Sequence, residues 1–239
     1  MSKKLNRRQC QIIAHQGSSF QAPENSIPAF TIAGQNDFYG IESDVQTTKD
    51  RHFLMFHDET LDRQTAGRGF IKHKNYDEIK DYRLTGGQKI EEYPNEPIPK
   101  LEDYLRICKE YGKVPIIEIK EVIEPEDLIK IVELTKAYGL YEVSTIISFN
   151  LFYLLFIREH YDITIQYLLN RIEKEHELLD ICEYYGFDLD IEHKALTKRF
   201  IDACHDRGIL VNAWTVDAFD RAQELIDLGI DFLTTNHLL

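Results

Sequence analysis

Short apolar runs alternate with segments of helical periodicity along most of the chain, and this alternation limits its fold more than any other feature. Nine runs have the length of β-strands: QIIAH, GIESDV, FLMFH, VPIIEIK, STIISF, ITIQYLL, FDLDIE, ILVNAW and DFLTT. The segments of helical period are residues 26–35, 101–110, 125–137, 151–160, 173–184, 197–207 and 218–228. Glycines follow several of these segments directly, which is typical of helix ends.

Repeated strand–helix units predict a parallel sheet with helices packed against it. About eight such units favour a closed (β/α)8 TIM barrel formed by one domain that spans residues 1–239. A doubly wound open sheet is the alternative, but no GxGxxG turn marks a nucleotide-binding crevice. Residues 63–99 break the alternation with four glycines and three prolines. They predict a small insertion that lies over one end of the barrel.

Charge and composition exclude several classes of partner. The net charge is −13 and no basic block is present, which argues against binding to nucleic acid or to anionic membrane surfaces. No apolar run approaches the ~18 residues of a membrane helix, and no signal peptide is apparent, so a cytoplasmic protein is expected. The four cysteines form no CxxC pair and are expected to be free thiols. The oligomeric state stays open.

The strand GIESDV carries two acids on one face. Side chains alternate along a strand, so Glu42 and Asp44 point the same way, about 6–7 Å apart. Inside a barrel two such carboxylates repel each other and are costly to desolvate, and a divalent cation removes both problems. The alternative is a solvated edge strand with two surface acids.

A third acid lies on the strand VPIIEIK. Glu118 and Lys120 share one face of this strand, and Glu118 lies in the middle of an apolar run. The pair alone would fit a structural ion pair. A third inward acid favours a metal site instead, and oxygen ligands leave both Mg²⁺ and Ca²⁺ open.

Two apolar strands stop on a histidine, His15 and His57. We expect both to lie at the carboxyl ends of barrel strands, where the active sites of TIM barrels are built. A single histidine there would more often be a hydrogen-bonded structural residue. Two of them beside the strand of Glu42 and Asp44 indicate a general acid and a general base.

These motifs together resemble the glycerophosphodiester phosphodiesterase family across essentially the whole chain. The resemblance rests on H-x-G and PENS between His15 and Ser26, E-x-D at Glu42 and Asp44, HDETLDR-x-T-x-G at 57–67, IP-x-LE at 98–102, IEIK at 117–120, SF at 148–149 and AWTV at 213–216. It implies a β/α barrel with a small insertion, one divalent cation, and hydrolysis of a small-molecule glycerophosphodiester to glycerol 3-phosphate and an alcohol.

The resemblance also implies roles for individual residues. Residue matching gives Glu42, Asp44 and Glu118 as metal ligands, His15 and His57 as the acid/base pair, Lys120 as a phosphate ligand, and Trp214 as part of an apolar wall beside the glycerol. In the mechanism so implied, the glycerol hydroxyl next to the phosphate attacks phosphorus. One histidine takes its proton, the other protonates the leaving alcohol, and water opens the resulting cyclic phosphate.

The chain departs from the family pattern at two positions. Most members have arginine where this chain has Gln16, and a neutral amide binds phosphate about 1–2 kcal/mol less well than a charged donor. Arg68 or Lys72 from the insertion could compensate for this loss. Asn236 replaces an aspartate, at the expected cost of only a structural hydrogen bond.

Two other functions remain open at this point. One is a related barrel phosphodiesterase that acts on a lysophospholipid or a sugar-linked diester. The other is a catalytically weakened barrel that only binds its ligand, with Gln16 as the first sign of decay.

Overall fold

A computed structural model describes residues 5–238. The strands are β1 (Gln11–Ala14), β2 (Gly40–Thr47), β3 (Phe53–Met55), β4 (Val114–Glu121), β5 (Thr145–Ser148), β6 (Thr164–Leu169), β7 (Asp188–Glu192), β8 (Val211–Trp214) and β9 (Phe232–Thr235). The helices are α1 (Ile27–Gln35), α2 (Leu101–Tyr111), α3 (Pro125–Ala137), α4 (Leu151–His160), α5 (Glu175–Tyr185), α6 (Lys198–His205) and α7 (Phe219–Leu228). Each expected strand and helix is present, with ends within two residues of the expected ones.

Eight of the strands form a closed parallel barrel. They are hydrogen-bonded in the order β1-β9-β8-β7-β6-β5-β4-β2, and pairing of β1 with β2 closes the ring. The predicted (β/α)8 barrel is therefore confirmed. Within residues 5–238, no helix is both long enough and apolar enough to cross a membrane.

The ninth strand, β3, lies outside the ring. It runs antiparallel to β2 and pairs with its last residues, Val45–Thr47, whereas β1 pairs with the first residues of the same edge, Gly40 and Ile41. The expectation that His57 ends a barrel strand is therefore wrong. Only residues 48–52 join β2 to β3, and a parallel crossover needs a dozen residues or more.

The strands divide the apolar side chains into two sets. On β2 and β4, Ile41, Val45 and Ile117 face outward into the large core beneath the helices. Ile116 faces inward and joins a small cluster at the barrel axis with Ile13 and others. This alternation places Glu42, Asp44, Glu118 and Lys120 inside the barrel.

Between β3 and α2, residues 56–100 form the insertion. It contains three single turns of 3₁₀-helix and no longer element. Leu61, Ile71 and Ile79 pack with neighbouring apolar residues into a cluster separate from the main core. Gln88 brings the insertion next to the barrel mouth, where it lines a cavity together with His15.

Candidate active site

Three carboxylates meet inside the barrel at β2 and β4. In the register of these parallel strands Asp44 lies opposite Glu118, and Glu42 lies opposite Ile116. One oxygen from each of Glu42, Asp44 and Glu118 lies within 4.8 Å of the other two. All three side chains are buried. Three hard oxygen donors at this spacing form a suitable site for Mg²⁺ or Ca²⁺.

Lys120 lies against the acids. Its Nζ is 2.7 Å from Glu118 Oε1 and 3.2 Å from Asp44 Oδ1. Burial alone would lower the pKa of Lys120, but the charges of Asp44 and Glu118 raise it. The expected Glu118–Lys120 pair is present, and Lys120 bonds Asp44 as well.

The pKa values of Glu42, Asp44 and Glu118 reflect their burial and the repulsion between them. Burial, and then the charges of Asp44 and Glu118, raise the pKa of Glu42 well above its usual range. Burial and the charge of Asp44 raise the pKa of Glu118 to about 8. Burial also acts to raise the pKa of Asp44, but Lys120 and the surrounding positive charges and hydrogen bonds lower it to about 2. The single positive charge of Lys120 is therefore too little to neutralise three buried carboxylates.

Two amide side chains hold Asp44 in place. Gln16 Nε2 donates to Asp44 Oδ2 at 2.9 Å, and Asn25 Nδ2 donates to the same oxygen at 2.8 Å. The backbone N–H of Gln16 donates to Glu42 Oε2 at 2.9 Å. Gln16 reaches both acids because its backbone is left-handed, with a φ of 55°. Ser26 caps α1 by accepting from the Ala29 N–H.

His15 directly follows β1 and is oriented by Asn236. The Asn236 amide Nδ2 donates to Asp217 Oδ2 at 2.6 Å, so its Oδ1 faces His15 Nδ1 at 2.8 Å. An amide oxygen only accepts, so Nδ1 carries the proton and the lone pair lies on Nε2. His15 Nε2 lies 4.0 Å from Glu42 Oε2. Burial lowers the pKa of His15, which favours the neutral imidazole.

His57 approaches the same site from the opposite direction. The chain leaves β3 with a hydrogen bond from Phe56 N to Asp44 O at 2.9 Å, and His57 comes next. His57 Nδ1 lies 2.9 Å from Asp58 Oδ1. Arg63 holds Asp58 with a 2.6 Å hydrogen bond and also bonds Glu24. His57 thus reaches the site although its strand is antiparallel, because β1 and β3 end towards each other along one edge of β2.

A cavity of about 170 Å³ connects these groups. It is lined by His15, Glu42, His57, Glu118, Lys120, Ile147, Phe149, Leu168, Asp190, Trp214 and Thr234. Trp214 packs edge to face on Phe149, with ring centroids 5.7 Å apart, and forms an apolar wall. Six of the eight predicted site residues therefore line this cavity, and an oxygen of the seventh, Asp44, lies within 4.8 Å of Glu42 and Glu118. Gln16 reaches the neighbouring cavity instead.

Comparison with known proteins gives the family. The model of the glycerophosphoryl diester phosphodiesterase family matches residues 15–239. The chain belongs to this family. A glycerophosphodiester phosphodiesterase of Caldanaerobacter subterraneus subsp. tengcongensis is 33% identical over 94% of this chain and 93% of its own length. The predicted family and enzyme class, a phosphoric diester hydrolase acting on glycerophosphodiesters, are confirmed.

Solved structures agree with this assignment. A phosphodiesterase from Oleispira antarctica, in complex with the product sn-glycerol-3-phosphate, superposes with a TM-score of 0.88 at 28% identity and covers 95% of this chain and 93% of its own. A glycerophosphodiester phosphodiesterase from Parabacteroides distasonis gives a TM-score of 0.78 at 29% identity, over 95% of this chain and 93% of its own.

Residues expected to compensate for Gln16 lie elsewhere. Lys72 Nζ pairs with Glu121 at 2.7 Å, and Arg68 is exposed near Asp62. Neither lines the cavity that contains His15 and Lys120. Among the described residues that line it, Lys120 alone carries a permanent positive charge.

Three polar residues of the site have roles that the sequence reasoning missed. Asn25, to which the motif PENS alone assigns no contact with the acids, bonds Asp44 directly. Asn236 does more than the expected structural bond, because it orients His15. Asp190 was assigned no role and lines the cavity. A signal was present in the strand FDLDIE, where Asp190 is the middle one of three acids that share a face, between Leu189 and Ile191.

Proposed function

We propose that the chain hydrolyses glycerophosphodiesters to glycerol 3-phosphate and an alcohol with the help of one divalent cation and the pair His15 and His57. One observation carries the proposal. A single cavity at the barrel mouth is lined by both histidines, by Glu42 and Glu118, and by Lys120. An anionic diester can enter a chain of net charge −13 only where local positive charge is available, which Lys120 and a bound divalent cation would supply.

The residues present fit a divalent cation. Glu42, Asp44 and Glu118 would hold it, because they are buried, converge within 4.8 Å, and retain raised pKa values at two of the three positions despite Lys120. When bound, such a cation lowers the pKa of a hydroxyl next to it and stabilises negative charge on phosphate oxygens.

The two histidines have different surroundings, and these support different roles. His15 presents an unprotonated Nε2 to the cavity and is suited to take the proton of the glycerol hydroxyl that attacks phosphorus. His57 is more exposed and lies towards solvent, where a leaving alcohol departs. It protonates that alcohol. Water then opens the cyclic phosphate with the two roles exchanged.

The other predicted residues support binding. Lys120 places a positive charge at the cavity wall for a phosphate oxygen, and Trp214 offers an apolar surface beside the glycerol. The leaving alcohol extends outward past His57, where a second cavity of about 660 Å³ is lined by His57 and Lys120 with Asp58, Glu59 and Tyr153. This larger space accommodates alcohols of different size.

The test is release of glycerol 3-phosphate from glycerophosphocholine and glycerophosphoethanolamine in EDTA, Mg²⁺ or Ca²⁺. We expect release only with a divalent cation, and a loss of about 10²–10⁴-fold in His15→Ala and in His57→Ala. His176→Ala is the matched control, because His176 lies on the exposed surface of α5. Full activity after EDTA treatment would contradict the metal role. Activity unchanged in either active-site variant would contradict the acid/base pair.

A further inference from the structure

Asp190 lies inside the catalytic cavity with half of its carboxyl group unpartnered. It is the middle residue of β7, is 2% exposed, and its Oδ1 has no hydrogen-bond partner among the described residues. β7 is four strands from β2 in either direction around the ring. Asp190 therefore lies directly across the barrel from Glu42 and Asp44.

The surroundings of Asp190 are apolar or neutral. Leu168 is its register partner on β6. Asn212, its register partner on β8, hydrogen-bonds its carboxyl group and also donates to Thr234 Oγ1 at 3.0 Å. Burial raises the pKa of Asp190 to about 8, against the effect of Asn212. At neutral pH the group is mostly a carboxylic acid, which can both donate and accept a hydrogen bond. A buried polar group without a partner costs about 1–3 kcal/mol, so a ligand that supplies the partner is favoured.

The depth of Asp190 decides which part of a substrate reaches it. Asp190, Leu168 and Thr234 are buried and form the floor, whereas Phe149, at 41% exposure, lies at the mouth. The whole cavity holds about 170 Å³, roughly the volume of six water molecules. A leaving alcohol of variable size must therefore lie at the mouth, and the glycerol part of the diester must lie inside.

We propose that Asp190 binds the glycerol hydroxyl farthest from the phosphate and so selects diesters in which this hydroxyl is free. The proposal rests on the proposed function. With the phosphate at Lys120 and the attacking hydroxyl near His15, the remaining hydroxyl points across the barrel towards β7. Trp214 Nε1 donates to the backbone oxygen of Asp190 at 3.2 Å, which ties the apolar wall beside the glycerol to this residue.

The same position of Asp190 excludes lysophospholipids. In a 1-acyl glycerophosphodiester this hydroxyl is esterified, and the floor of a cavity of about 170 Å³ has no room for a fatty acyl chain. An ester oxygen can accept one hydrogen bond from Asp190, but unlike a hydroxyl it cannot also donate one. We therefore expect no release of a lysophosphatidic product from a lysophospholipid under conditions in which glycerophosphoethanolamine is hydrolysed.

The decisive experiment compares two diesters of ethanolamine. One contains glycerol. The other contains propane-1,2-diol, which keeps the hydroxyl next to the phosphate and has a methyl group in place of the far CH₂OH. For the wild type we expect kcat/KM to be about tenfold to hundredfold higher for the glycerol diester, because the propane-1,2-diol diester cannot form the buried hydrogen bond with Asp190. In Asp190→Val this preference should disappear. In Asp190→Asn, which still donates and accepts, it should persist.

The ratio of the two kcat/KM values does not depend on the fraction of folded protein, so a partly unfolded variant still gives an answer. Asp188→Asn is the matched control, because Asp188 lies on the same strand but does not line the cavity, and its ratio should equal that of the wild type. If Asp190→Val lowers kcat/KM equally for both diesters and leaves the preference unchanged, the role of Asp190 is overturned while the proposed function stands. A wild type that hydrolyses neither diester would overturn the proposed function and this inference with it.

Discussion

The side-chain amide of Gln16 donates a 2.9 Å hydrogen bond to Asp44 Oδ2, and its backbone N–H bonds Glu42 at the same distance. Gln16 therefore supports two of the three acids of the proposed metal site. The family pattern has a phosphate-binding arginine at position 16. In this chain the side-chain amide at that position binds Asp44 instead. A neutral donor fixes the carboxylate without neutralising the charge that would attract a divalent cation.

Gln16→Ala should weaken binding of Mg²⁺ or Ca²⁺. The variant removes one of the two amide donors that orient Asp44, and a hydrogen bond to a charged group contributes about 1.5–3 kcal/mol. We expect roughly a tenfold or greater rise in the dissociation constant measured by titration calorimetry. Gln88→Ala is the control, because Gln88 is exposed beside His15 and makes no contact with the acids. An unchanged affinity in Gln16→Ala would show that Asn25 alone orients Asp44.

Gln16→Arg should lower KM for the diester about tenfold, because a guanidinium binds a phosphate oxygen with a charge-assisted bond. It should also weaken metal binding, since a second cation beside Asp44 competes for the same carboxylate. Steady-state kinetics over a range of Mg²⁺ concentrations separates the two effects. A KM that stays constant at saturating metal would show that residue 16 does not reach the phosphate.

Glu42→Gln should change stability in opposite directions with and without metal. Without a cation the carboxylate of Glu42 is repelled by Asp44 and Glu118 and desolvated by burial, as its raised pKa records. The neutral amide removes both costs, so the melting temperature in EDTA should rise. With millimolar Mg²⁺ or Ca²⁺ the wild type gains binding energy that the variant loses, and the order should reverse. Parallel thermal melts with and without EDTA check this. The same order in both would argue against a metal at these acids.

Asn236→Ala should lower kcat with little change in KM. Asn236 contacts His15 and does not line the cavity that contains His15 and Lys120, so it can act on the reaction only by fixing which ring nitrogen of His15 carries the proton. Without it the two tautomers of His15 become more equal and its ring gains freedom, so we expect about a tenfold loss in kcat. Ser19→Ala, which removes a second bond to the same oxygen, should have a smaller effect. A rise in KM at constant kcat would place Asn236 in substrate binding instead.

The barrel and the three acids could be predicted because they follow from periodicity. Alternation along GIESDV and VPIIEIK puts Glu42, Asp44 and Glu118 on one face, and parallel pairing of β2 with β4 brings Asp44 opposite Glu118. A residue's face is a local property of its strand, so one sequence is enough to assign it.

The direction of β3 and the contacts of the amides could not be predicted in the same way. FLMFH has the same pattern in a parallel or an antiparallel strand, and only the short connection at 48–52 indicated the reversal. The hydrogen bond that His15 donates to Asn236 joins residues 221 positions apart. It depends on the closure of the ring between β9 and β1, which periodicity does not describe.

Asp190 should make the stability of the protein fall as pH rises from about 4 to about 8. Its pKa is about 8 in the folded protein, and an aspartate in an unfolded chain has a pKa of about 3.9. Below pH 4 both states hold the proton. Between the two values only the folded state holds it, so the unfolded state binds fewer protons and the free energy of unfolding decreases with pH. Above pH 8 both states have lost the proton and the decrease ends.

Asp190→Asn cannot lose a proton and should not show this decrease. The difference in the free energy of unfolding between the variant and the wild type should therefore grow in favour of the variant up to about pH 8, by at most about 1.4 kcal/mol per pH unit. Asp188→Asn provides an internal comparison, because burial raises the pKa of Asp188 only to about 6, so its difference should stop growing near that pH. Urea titrations of the three proteins in EDTA at several pH values measure both limits. If the stability differences of Asp190→Asn and Asp188→Asn from the wild type level off at the same pH, the carboxyl of Asp190 is not held in its neutral form at the cavity floor. The substrate hydroxyl would then donate its hydrogen bond to a charged carboxylate.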